Sequence, residues 1–93
     1  MNIKVLLVDD HEIMREGLCA LLRKHDHIEV IGQASDGRSA VKKVANLSPD
    51  VVVMDIGMPN LNGIEATKHI KKFCPGTAVL ILTAFDDDEF EDF

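Results

Sequence analysis

Basic side chains are scarce in this sequence. Ten Lys and Arg stand against 16 Asp and Glu in 93 residues, a formal net charge of −6. No cationic stripe exists that could neutralise a phosphate backbone, so the chain itself is not expected to bind nucleic acid. Trp and Tyr are absent. Cys19 and Cys74 are the only cysteines, and neither has a Cys or His near it at metal-ligand spacing. They read as small buried hydrophobes. Two lone thiols with no secretory leader ahead of them point to a reducing, cytoplasmic compartment. No apolar run reaches the length needed to cross a bilayer, so no membrane partner is expected.

What is present is a hydrophobic fraction of 46%, that of a globular chain rather than a disordered one. The length allows one domain. The acidity is local. Asp86, Asp87, Asp88, Glu89, Glu91 and Asp92 account for the whole excess, and the remaining 10 acids balance the 10 bases. These six read as a solvated end or the first turns of a fourth helix. They lack the glycine and spaced glutamate of a calcium loop. Phe85, Phe90 and Phe93 read as core or interface residues of a longer domain.

The chain is organised around Val51-Val52-Val53-Met54-Asp55 and the turn formers after it, Gly57, Pro59, Asn60, Asn62 and Gly63. Four consecutive apolar residues describe a strand buried on both faces, which ends abruptly in a carboxylate. Ile3 to Val8 is a second such strand, and it ends in Asp9-Asp10. Ile28 to Ala34 is patchier, with Glu29 and Gln33 interleaved, and suits an edge. Ala78 to Thr83 is the fourth strand. Between them lie three helical patterns. The first spans roughly residues 11–24, with Ile13, Met14, Gly17, Leu18, Leu21 and Leu22 as its apolar stripe, Asp10 as its cap and Arg15, Arg23 and Lys24 on or beside its wet face. The second follows Asp36-Gly37, carries Ala40, Val41, Val44, Ala45 and Leu47, and stops at Ser48-Pro49. The third begins near Gly63, with Asn62 as cap, and buries Ala66, Ile70 and Phe73.

Strict alternation of strand and helix implies a parallel sheet with right-handed crossovers. The two most apolar strands belong in the middle, giving the order 2-1-3-4. Winding then reverses between strands one and three, where such sheets bind ligands at their carboxyl ends. Asp9, Asp10 and Asp55 meet there. Like charges gathered in one place require a cation. The oxygen set suits Mg2+, and a carboxylate beside that metal can attack phosphorus. Thr83 ends strand four at the same edge, where its hydroxyl can donate to a phosphate oxygen. His11, His25, His27 and His69 read as solvated, none at ligand spacing, which argues against zinc.

Leu6-Leu7-Val8-Asp9-Asp10-His11, Val53 through Gly63, and Leu80-Ile81-Leu82-Thr83-Ala84 together resemble the receiver domain of two-component response regulators. Asp9-Asp10-His11 through Arg15-Glu16-Gly17-Leu18 is similar to the NarL/FixJ-type branch. The resemblance implies a flavodoxin-like α/β/α sandwich. It implies that Asp55 takes a phosphoryl group from a sensor histidine kinase. Asp10, Asp55 and the backbone carbonyl of Gly57 would bind Mg2+, with Asp9 acting mainly through a metal-bound water. Thr83 would contact the phosphate and act as a switch, and the Ala84 N–H would help hold the phosphate. The family also has a fifth strand, a fifth helix and a strand-end lysine that this sequence does not supply. Residues 1–93 are therefore expected to form a receiver domain incomplete at its C-terminus, whose DNA-binding output domain lies elsewhere.

Two other readings fit the residues. One is an interaction module without phosphoryl chemistry, a homo-oligomer that completes its sheet through the strand-four edge or the C-terminal stub. The other is a phosphohydrolase with Asp55 as nucleophile. That chemistry usually has a second acid two residues further on, where this chain has Gly57.

Overall fold

The computed structural model describes residues 2–55 and 63–82. Four strands, β1 (Ile3–Val8), β2 (Ile28–Ala34), β3 (Val51–Asp55) and β4 (Ala78–Leu82), alternate with three helices, α1 (Glu12–Arg23), α2 (Gly37–Leu47) and α3 (Gly63–Phe73). The strands form one parallel sheet in the order β2-β1-β3-β4. The apolar central pair and patchy edge strand sit where the sequence pattern put them.

The sheet divides the core by alternation of side chains. Leu6, Val8, Val52 and Met54 face α2 and α3, where they meet Ala40, Val44, Ala66 and Ile70. Val5 and Leu7 face the other way, onto Cys19 of α1, with Leu18 and Leu22 packed around them. The result is the three-layer flavodoxin-like sandwich.

Opposite the acids, Asp50 ties three strands into register. Its N–H donates to the Lys4 carbonyl at 2.8 Å, its carboxylate accepts from the Lys4 N–H at 2.8 Å, and its carbonyl accepts from the Ala78 N–H at 2.9 Å. The Thr77 hydroxyl donates to the Pro49 carbonyl at 2.8 Å and is buried. Asp36 caps α2 by accepting from the Ser39 N–H at 2.7 Å. That helix ends at Ser48, in left-handed backbone with φ 49°, ahead of Pro49.

Several expectations about helix faces need correction. Asp10 does not cap α1. His11 is the N-cap residue and makes no side-chain cap bond, and it is Asp9 that accepts from the His11 N–H. The inner face of α1 is Leu18, Cys19 and Leu22, while Ile13, Met14 and Leu21 are exposed, Ile13 at 86%. Gly17 is exposed too, and Arg15 is half-buried, beside the wet face rather than fully on it. Ala45 and Leu47 lie outside the buried stripe of α2. Phe73 is 61% exposed. The buried stripe of α3 runs Gly63, Ala66, Ile70 and on to Cys74, so the fourth-residue step from Ile70 falls on the cysteine and turns Phe73 outward. Phe73 instead lies against the His69 ring, 4.6 Å between centroids.

Candidate functional site

Strand register builds the site. Val8 pairs with Met54 across β1 and β3, one residue short of Asp9 and Asp55. Both acids therefore leave the sheet at the same level, on adjacent central strands. Asp10 follows in the turn before α1. Ligand-capable atoms of Asp9, Asp10, His11 and Asp55 all lie within 4.8 Å of one another. Two carboxylates 4 Å apart repel by about 4 kcal/mol at an effective dielectric of 20, which is why such a cluster calls for a cation.

Each acid has a different setting. Asp9 is 8% exposed. Its Oδ1 accepts from the His11 N–H at 2.8 Å and faces the His11 Nδ1 at 3.1 Å. Its carbonyl accepts from Arg15 Nη1 at 2.7 Å. Arg15 Nε donates to the Gln33 side-chain oxygen at 3.1 Å, and Lys43 Nζ donates to the Gln33 carbonyl. Two cations from α1 and α2 thus brace the carboxyl ends of β1 and β2 from behind. Asp10 is more open, and its Oδ1 lies 2.9 Å from the His11 Nδ1. Asp55 is half-buried at the end of β3. Asp9, Asp55, Arg15 and Leu82 line one small recess beside the cluster.

By sequence alone His11 reads as a solvated residue. It is solvated, with a side chain 73% exposed, yet its ring is the one imidazole gathered with the acids among the described residues. The hydrogen bond its ring donates to Asp9, then the charge of Asp10, hold its pKa above the ordinary 6.5. The signal available in the sequence was adjacency: a His directly after two acids at a helix start cannot leave them. Gly57, Thr83 and Ala84, together with the Asn62 cap and the acidic run 86–92, lie outside the described residues.

The donor set fits a divalent cation. Three carboxylates offer hard oxygens, and one open side permits water or an incoming oxygen to complete the shell.

A parallel sheet wound in this order, with its acids at the carboxyl ends of the two middle strands, defines the receiver class of signalling domains. The chain belongs to the response regulator receiver domain family, whose model matches residues 5–92. It is 49% identical over 87 residues to the transcriptional regulatory protein LiaR of Bacillus subtilis, covering 94% of this chain and 41% of that protein. It therefore spans less than half the length of this relative. The receiver domain of the response regulator NarL from Mycobacterium tuberculosis superposes with a TM-score of 0.86 at 30% identity, over 95% of this chain and 71% of that one. The CheX–CheY–BeF3–Mg2+ complex from Borrelia burgdorferi matches with a TM-score of 0.81 at 29% identity, over 97% of this chain and 69% of that one. Among the described residues no helix is long and apolar enough to cross a membrane.

Proposed function

We propose that this chain is the phosphoryl-accepting unit of a two-component response regulator, loaded at Asp55 by a sensor histidine kinase in the cytoplasm. The observation that carries the reading is the convergence of Asp9, Asp10 and Asp55 at the ends of two adjacent strands. A matching relative of known structure was captured with Mg2+ and BeF3, which supports the same use of the cluster here. The likeness to LiaR, a transcriptional regulatory protein, supports an output in transcription that Asp55 controls.

Asp10 and Asp55 would hold Mg2+, with the carbonyl of Gly57. Asp9 already has one oxygen committed to His11 and would act through a metal-bound water. The cation supplies neutralisation of charge on the transferring group. An Asp55 oxygen attacks phosphorus, the P–N bond to the donor imidazole breaks, and an acyl phosphate forms. Thr83 would donate its hydroxyl to a phosphate oxygen and act as the switch, and Ala84 its N–H. The domain is a phosphoacceptor; apart from self-phosphorylation and self-dephosphorylation it turns over no substrate.

Incubation with Mg2+ and acetyl phosphate tests this. The intact mass should rise by one phosphoryl group, and Asp55→Asn should abolish the gain. No adduct on folded protein would contradict the proposal.

A second reading has its own observation. Leu80, Ile81 and Leu82 of β4 are exposed. A sheet edge of this kind pairs readily with another chain. Concentration-dependent sedimentation would support an assembly role, and a monomer at high concentration would count against it.

A further inference from the structure

We propose that the exposed face of α3 is a docking surface for the acidic run 86–92 of a second copy of this chain, so that copies associate head to tail. It is a different surface from the β4 edge, and nothing in it depends on phosphoryl transfer. The run holds six acids in seven residues, with Phe90 among them, and lies outside the described residues. The other acids and bases balance, so the run carries the whole net charge of −6. The densest cluster of opposite charge is on α3. There Lys68, Lys71 and Lys72 stand within five positions, and all three are exposed.

Lys68, His69, Lys72 and Phe73 line a groove of about 290 Å3, with Glu65 its one acid. The Phe73 ring is 61% exposed and has Lys72 Nζ 5.3 Å from its centroid. Among the described residues none of the three lysines makes an ion pair. Lysines in a last helical turn suit the helix dipole, which accounts for Lys71 and Lys72. It accounts neither for Lys68, one turn earlier, nor for the exposed ring beside them. An acidic segment that contains phenylalanine matches both parts, charge to lysine and ring to ring. Phe73 precedes the start of β4 at Ala78, whereas the acidic run follows from its far end at Leu82, which favours a second copy over the same chain as the source. A basic face on one copy and an acidic run on the next make a heterologous contact, which repeats along a row unless rotation closes a ring.

Sedimentation of the whole chain tests this. Wild type should associate as concentration rises, and its association should weaken at least about tenfold between about 20 mM and about 500 mM NaCl, as the charges are screened. Lys68→Glu/Lys72→Glu should stay monomeric, and so should Asp87→Asn/Asp88→Asn/Glu91→Gln. Each variant keeps one half of the contact, so mixing the two should give a one-to-one heterodimer and nothing larger. The α3 side chains to be changed are exposed, so that variant should fold as wild type, and circular dichroism checks both. Association that ignores salt and persists in both variants would be pairing at the β4 edge, and would overturn the proposal. So would a wild type that stays monomeric, or a mixture in which the two variants do not find each other.

Discussion

Arg15 connects the site to the rest of the molecule. Its guanidinium reaches back from α1 to the Asp9 carbonyl at 2.7 Å and across to Gln33 at 3.1 Å, so it fixes the path of the chain where β1 gives way to the acids. Arg15→Ala should cost about 1.5–3 kcal/mol, the range for hydrogen bonds to a charged group, read as a fall in the urea midpoint at unchanged slope. Mg2+ affinity should fall with it. Unchanged affinity would mean that Asp9 keeps its place without the arginine. His11 gives a pH signature. Its pKa is raised in the folded chain by Asp9 first and Asp10 second. The stability this contributes is fully present below the unfolded value and is lost as pH rises through the raised folded value. In chelator-containing buffer, the melting temperature of wild type relative to His11→Gln should therefore be higher at pH 5.5 than at pH 8.5. A difference that does not vary with pH would sink the assignment. Adjacency could have flagged His11 in the sequence, whereas the reach of Arg15, 18 residues back from Gln33, depends on how α1 lies across the sheet.

The elements carry most of the stability. Leu6 is fully buried between the sheet and α2 and α3. Leu6→Ala should cost about 2–5 kcal/mol by removing transfer energy and leaving a cavity. Phe73→Ser, at a position read from periodicity as core, should stay within about 0.5 kcal/mol because the ring is mostly in water. Chemical denaturation of the two variants decides between the face read from sequence and the face observed. Strand assignments were legible because continuous apolar runs of β1 and β3 have only one comfortable position in a parallel sheet, and the interrupted run of β2 belongs at an edge. Helix faces were harder. α1 carries Ile13, Met14, Leu18, Cys19, Leu21 and Leu22 over more than half its circumference, so periodicity does not choose the buried side. Packing chose Leu18, Cys19 and Leu22.

At the scale of the whole molecule, the fold concentrates negative charge at one end of a sheet whose other end is fastened by Asp50. A cation that binds only the folded chain stabilises it by mass action, about 2.7 kcal/mol at a hundredfold excess over Kd. On the proposed reading the convergent acids oppose folding until a cation binds among them. The site was legible in outline, since two strands that end in acid and sit side by side leave their carboxylates nowhere else to go. The most direct measurement is thermal melting across a Mg2+ titration of wild type, Asp10→Asn and Asp55→Asn. The wild-type melting temperature should climb with Mg2+, while both variants stay flat and, in chelator, melt no lower than wild type. A wild-type curve indifferent to Mg2+, or variants that respond as it does, would contradict the account.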